Sequence, residues 1–211
     1  MRQVKAITGC LLLCMSGSAA IAQESRNELA ATIGHIFISD QTVPNTTFFD
    51  NTVHFGKSIP FEIDYARDLR NFGWGVFAVE VPAIISLDQD LNYGQNQIPR
   101  EYKSVFITPA ARVSFPSYLP FTPWLSFGGG IGHFQASRDL IFFGANPGPR
   151  VKTTGVLQGG IGLDIQLFGL RNLKFRVEAR DDWSGVPPLN VDTGKTRQHN
   201  YYVGGGGVFR F

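Results

Sequence analysis

From Leu173 the chain alternates strictly: Leu173, Phe175, Val177 and Ala179 are apolar, and the Lys174, Arg176, Glu178 and Arg180 set between them is charged. A period of two puts the sets on opposite faces of an extended strand, whereas a helix would mix them. Seven other runs share the rhythm. Eight strands are thus predicted at residues 28–38, 58–67, 74–87, 104–115, 122–135, 153–168, 173–182 and 200–211. The first and third are less regular, and His35 falls on the apolar parity of the first. The connections alternate as well: 39–57, 88–103, 136–152 and 183–199 are long, while 68–73, 116–121 and 169–172 are short. An even strand number with this alternation predicts an all-β fold, an eight-stranded antiparallel up-and-down transmembrane β-barrel with both termini on the short-turn side. A sandwich or a soluble lipocalin-like binder, the outside alternative, gives no general reason for such regularity.

The two ends of the chain suit export and membrane insertion. Residues 1–22 combine Arg2 and Lys5, an apolar stretch over 6–15 and the small residues Ala20 and Ala22, the pattern of a secretory signal cut between Ala22 and Gln23. The expected division is a cleavable signal at 1–22 and a barrel domain at 23–211. The apolar stretch is too short to cross a bilayer as a helix, which takes about 20 residues. In the last run Tyr201, Val203, Phe209 and Phe211 share one parity while Tyr202 and Arg210 share the other. Such a strand is expected to close against the first with one face to lipid, and those four residues are read as an assembly signal. Both cysteines, Cys10 and Cys14, fall in the signal, which excludes a disulfide framework or a thiolate metal site from the exported chain. With Arg2 and Lys5 removed, 17 basic residues face 17 acidic ones, and nothing suggests a nucleic-acid partner.

On these features, and on the Arg176-x-Glu178-x-Arg180 pattern in a late strand, the chain resembles the small outer-membrane β-barrels, the group that includes the barrel domains of outer membrane proteins A, X and W. The resemblance implies a bacterial outer-membrane location, insertion by the barrel-assembly machinery, and contact with outer-membrane lipid and lipopolysaccharide. It implies an architecture more than an activity: members serve as envelope anchors, adhesins or routes for small hydrophobic molecules.

The polar parity of the strands supplies Glu62, Asp64, Glu80, Arg112, Asp164, Lys174, Arg176, Glu178, Arg180 and Asp182. An eight-stranded bore is only wide enough for side chains, so these charges are expected to pair into a lumenal ion network that blocks it. Aromatics near the turns (Phe72, Trp74, Tyr118, Phe121, Trp124, Phe168) and near the long loops (Tyr102, Phe106, Trp183, Tyr201, Tyr202) are expected to form two interfacial girdles. The glycine clusters at 128–132, 159–162 and 204–207 open no helix and carry no following Lys-Ser/Thr, so they are read as strand glycines rather than a nucleotide loop. His35, His133 and His199, with Ser39, Ser137 and Ser184 nearby, lack any spacing that would enforce a catalytic triad. No catalytic, cofactor or metal residue is assigned. The chain is expected to be a non-enzymatic envelope or surface-interaction barrel with a plugged lumen and an unidentified loop partner. The alternatives are passage of small hydrophobic molecules and a lipid A-modifying enzyme.

Overall fold

The computed structural model describes residues 26–44, 50–116, 120–167, 170 and 172–211. The expected signal segment and Ala22–Gln23 cleavage point, and Tyr118 and Phe168 of the expected girdles, lie outside the described residues. The elements are β1 (Asn27–Phe37), β2 (Gln41–Thr42), β3 (Thr52–Phe55), β4 (Phe61–Asn71), β5 (Val76–Asn92), β6 (Glu101–Ile107), β7 (Ala110–Ser114), β8 (Phe121–Ala136), β9 (Val151–Gln166), β10 (Leu173–Gly185) and β11 (Arg197–Arg210). β6 and β7 are consecutive halves of one stave, and β2 and β3 form a small hairpin in the first long loop. Eight staves therefore make the wall, in antiparallel order β1, β4, β5, β6 with β7, β8, β9, β10 and β11.

β11 returns to β1 and closes the barrel. The seam runs in unbroken register from Glu28 opposite Arg210 to Phe37 opposite Tyr201, and the amides of Asn27 and Phe211 each donate to the other's carbonyl at 3.0 and 2.9 Å. Closure leaves none of the eight wall staves with a free edge, the condition for a sheet to lie in lipid. The register shifts between Asp68 and Arg70 in the β4–β5 ladder and between Ser86 and Gln89 in the β5–β6 ladder, and at a third irregular place sit two prolines. β5 pairs with β7 up to Glu80 and with β6 from Ala83, so Pro82 faces the break at Thr108 and Pro109, where a missing N–H removes no regular ladder bond. Thr108 N–H to the Pro82 carbonyl (3.2 Å) and Gly129 N–H to the Pro109 carbonyl (3.1 Å) keep the break stitched.

The alternation read in the sequence sorts the wall as expected. Leu157, Ile161, Phe175 and Val177 are exposed on the outside, with Leu163 and Leu173 half-buried on the same parity. Leu29, Ile33, Ile63, Leu125 and Phe127 continue an apolar belt around the barrel. In water such a surface would be an aggregation hazard; against hydrocarbon it is the favoured one. Phe72, Trp74 and Phe115 group at the turn end, and Trp183, His199 and Tyr201 stack at the loop end.

The girdle assignment fails for four aromatics. Trp124, Tyr102, Phe106 and Tyr202 are buried inside the barrel. Each occupies the inward parity of its strand, where Trp124 neighbours Ser126 and Tyr202 neighbours Gly204; proximity to a loop is a weaker determinant than parity. The long loops also send apolar side chains into the barrel mouth. Val43, Val53, Tyr93, Ile98 and Leu189 join Ile36, Ile84, Leu91, Tyr102, Phe106, Phe134 and Val156 in one buried cluster.

The wall's tightest approach lies opposite the β6–β7 break. A Cβ on Gly130 would stand 1.9 Å from the Ile107 carbonyl oxygen, whereas one on Gly155 meets nothing within 4 Å. Gly130→Val is expected to abolish most of the folded, fast-migrating species on unboiled gels, and Gly155→Val to leave it near the original amount. Equal yields of folded barrel from both variants would contradict the observed geometry of the break.

Candidate functional site

The inward parity of β4, β5, β7, β9 and β10 collects charge at the turn-end half of the bore. Three arginines, Arg112 from β7 and Arg176 and Arg180 from β10, are wholly buried there. Arg176 makes a two-point contact with Asp164 (Nε–Oδ1 2.7 Å, Nη2–Oδ2 3.0 Å) and reaches Asp64 at 3.1 Å and Glu28 at 2.5 Å. Arg112 meets Glu28 at 2.7 Å and Glu80 at 3.5 Å. Arg180 meets Glu80 at 2.7 Å, Glu62 at 3.1 Å and Glu178 at 3.2 Å. Six carboxylates thus enclose three guanidiniums, and most bridge two strands that are distant in sequence.

Trp124 is the hub of this cluster. Its ring lies 5.7, 5.0 and 5.1 Å from the guanidinium carbons of Arg112, Arg176 and Arg180, and its Nε1–H donates to Asp164 Oδ1 at 3.2 Å. The negative face of an indole attracts cations most strongly where water is excluded, so one ring serves all three arginines. Gly162 on β9 makes the room: a Cβ there would lie 2.2 Å from the indole.

Of the residues expected in this network, Glu62, Asp64, Glu80, Arg112, Asp164, Arg176, Glu178 and Arg180 are brought together. Asp182 is buried farther toward the loops and forms no ion pair among the described residues, and Lys174 is half-buried at the turn end beside Arg210 without one. Both lie beyond the span that the three arginines reach. Arg210 instead pairs with Asp68 at the turn-end rim. Sequence reasoning missed Glu28 and Trp124. Glu28 bridges Arg112 and Arg176, yet its strand has the weakest alternation, with Ala30, Thr32 and Gly34 following it on the same inward side.

Above the charges the bore turns apolar. Thr32 stands at the boundary, its hydroxyl 2.8 Å from Glu178 Oε1 and 2.7 Å from the Tyr202 hydroxyl. Beyond it Phe106, Phe134 and Tyr102 pack edge to face at 5.6 and 5.8 Å, and Phe55 from the first loop meets Tyr102 at 6.5 Å. A buried amide chain ties the loops down: Thr193 donates to Gln41, Gln41 to Gln198, and Gln198 to Asn200, at 2.7, 2.8 and 2.7 Å. The lumen is filled at both levels.

The histidines face outward and their potential partners are divided. His133 Nδ1 is 3.0 Å from the Thr153 hydroxyl with no carboxylate beside it, and His199 Nδ1 is 2.7 Å from Asp181 with no hydroxyl beside it. His35 Nδ1 contacts the Ser58 carbonyl at 2.9 Å. Ser184 is buried and donates to the Gly185 carbonyl, and Ser137 accepts from the Asp139 amide. Among the described residues no histidine is joined to both an acid and a hydroxyl, the arrangement that acyl transfer needs.

Comparison with solved structures finds the same architecture. Neisserial surface protein A matches with a TM-score of 0.53 at 14% identity, over 88% of this chain and 97% of that one. The OprG outer membrane protein of Pseudomonas aeruginosa (TM-score 0.49, 11% identity, 89% and 98%) and the attachment invasion locus protein of Yersinia pestis bound to a heparin analogue (0.43, 15%, 87% and 99%) also match. The first likeness establishes the fold of a small eight-stranded outer-membrane barrel, and at such identities it establishes the fold alone. No family model and no curated protein matches the chain.

The network makes a quantitative demand. Arg180→Met leaves Glu62 and Glu178 buried without their ion-pair partner and Glu80 with Arg112 alone, and removing one partner of a buried ion pair costs about 3–5 kcal/mol. Its urea midpoint in lipid is expected to fall accordingly, against a change within about 0.5 kcal/mol for Lys195→Met in an exposed loop. Equal midpoints would mean that water, not the carboxylates, solvates Arg180.

Proposed function

We propose that this chain is a non-enzymatic barrel of the bacterial outer membrane that acts through its outer wall and its loop end rather than through its bore. The observation that carries the reading is the double filling of the lumen, with the arginine–carboxylate cluster around Trp124 below and the aromatic cluster of Tyr102, Phe106 and Phe134 above. A bore filled with paired charges and packed rings offers a solute no continuous path. The apolar belt and the outer-membrane proteins among its structural neighbours support the location, with the long loops outside and both chain ends in the periplasm. The closed ladder, stitched by backbone hydrogen bonds at the Pro82–Pro109 break, argues against a lateral exit there for small hydrophobic compounds. The separation of His133 with Thr153 from His199 with Asp181 argues against a lipid-modifying triad. What remains available for contact is the loop end, fixed in shape by its own apolar core. A surface held this way suits binding to other envelope or cell-surface components.

Purified barrel in planar bilayers is expected to show no stable nanosiemens-scale steps, and lipid A from cells expressing it is expected to keep its mass. Steady large conductance would favour a porin. A mass change lost on replacing His133 or His199 by Ala would make the protein an enzyme.

A further inference from the structure

The buried charges of the bore do not balance. Glu28, Glu62, Asp64, Glu80, Asp164 and Glu178 make ion pairs with Arg112, Arg176 or Arg180, and all of these side chains are shut off from solvent. Fully ionised, the set carries three more negative charges than positive ones. Arg210 and Asp68 at the rim cancel each other, and counting the half-buried Lys174 still leaves two charges uncompensated. An ionised carboxylate taken out of water without a matching cation is so costly that the group takes up a proton instead.

The contacts show where the surplus sits. Arg180 is the nearest cation to Glu62, Glu80 and Glu178, yet only two of them receive its hydrogen bonds: Glu80 Oε1 from Nη1 at 2.7 Å and Glu178 Oε2 from Nε at 3.2 Å. Glu178 has the Thr32 hydroxyl as well. Glu62 is left over. It is 1% exposed, its Oε1 stands 3.1 Å from Arg180 Nη2 without the alignment of a hydrogen bond, and neither of its oxygens has a donor. Its ladder neighbours Thr32 on β1 and Ile84 on β5 bring no charge. Asp64 on its own strand, Glu178 on β10 and the Tyr202 phenol on β11 add acidic groups around it, and Arg176 lies beyond Arg180 with its own carboxylates. Asp182 is the second such group. It is 1% exposed with Oδ1 unpartnered, and its neighbours across the ladders are the uncharged Gln158 on β9 and Asn200 on β11. On its own strand Arg180, already shared, is offset by Asp181.

We infer that Glu62 and Asp182 hold protons while the bore is closed and that losing them loosens it, so that the plug is a pH-sensitive latch. The inference rests on the plugged-bore reading above. Ionised, Glu62 would repel Asp64 and Glu178 and compete with Glu80 for Arg180, the side chain that ties β10 to β4 and β5. In the unfolded chain both carboxyl groups are ionised at neutral pH. Folding therefore takes up protons from water. By linkage, the stability they bring is fully present in acid and is lost as the pH rises through the range in which the folded bore releases them.

Infrared spectroscopy of the full-length barrel in an ester-free detergent tests the protons directly, because a protonated carboxyl absorbs apart from carboxylates and amides. At neutral pH the original protein is expected to show this band, Glu62→Gln and Asp182→Asn each to lose part of it, and Glu80→Gln to keep it whole. Urea titrations of the same samples supply a second readout. Glu62→Gln, a neutral side chain of the same shape, is expected to keep the neutral-pH midpoint, and Glu80→Gln, which takes an anion from Arg180 and Arg112, to lower it. From neutral to alkaline pH the folding equilibrium constant of the original protein is expected to fall by up to about tenfold per pH unit for each proton held. The double variant Glu62→Gln with Asp182→Asn is expected to lose that dependence. Absence of the band from the original protein would overturn the proposal, as would a band that neither variant diminishes or equal pH dependence in the original and the double variant. A bilayer current at neutral pH would instead refute the plugged-bore reading, whatever the infrared band shows.

Discussion

The seam between β1 and β11 is the constraint on which the other features depend. Lipid offers no partner to a backbone N–H or C=O, so the sheet must close on itself. Closure with eight staves fixes the bore at side-chain width, and every inward residue must then be satisfied by another inward residue. The same closure sets the tilt that turns cross-strand rows into oblique lines on the outer wall. Seam and bore are consequences of one geometry.

The bore resolves its own constraint in two ways along its length. Toward the turns, each guanidinium is held by two or more carboxylates, and Trp124 lets three guanidiniums crowd together by presenting an aromatic face to all of them. Toward the loops, inward rings pack against apolar residues that the loops fold back into the mouth. The network costs desolvation that an apolar filling would avoid, so its value lies in specificity of closure more than in stability. Arg176 joins β10 to β1, β4 and β9, and Arg180 joins it to β4 and β5. A register slip of one residue would turn these side chains outward into lipid, so the ion pairs penalise that slip.

Much of this architecture was legible because parity is local. Leu173 to Arg180 announced both faces of β10 without reference to any other strand, and the long-and-short rhythm of the connections required only counting. What escaped depended on partners. Glu28 lies in a strand whose other inward residues are small, so the sequence offered no alternation to reveal it. Trp124 was assigned to a girdle from its nearness to a turn, although the parity of Leu125 and Phe127 already placed it inside. The β6–β7 break was hidden within one apparent run, since Pro109 reads as a break only once Pro82 is seen opposite it. The apolar core of the mouth was invisible because Tyr93, Ile98 and Leu189 sit in loops whose docking no periodicity describes.

The claim that orders the rest is that the arginines are solvated by carboxylates and an indole rather than by water. Proton exchange at the guanidinium Nε–H groups, followed by NMR on the barrel in lipid nanodiscs, reads this directly. The signals of Arg112, Arg176 and Arg180 should survive transfer to deuterated water long after those of the exposed Arg138 and Arg197 have vanished. Loss of all five at the same rate would mean an open, hydrated bore and would contradict the account.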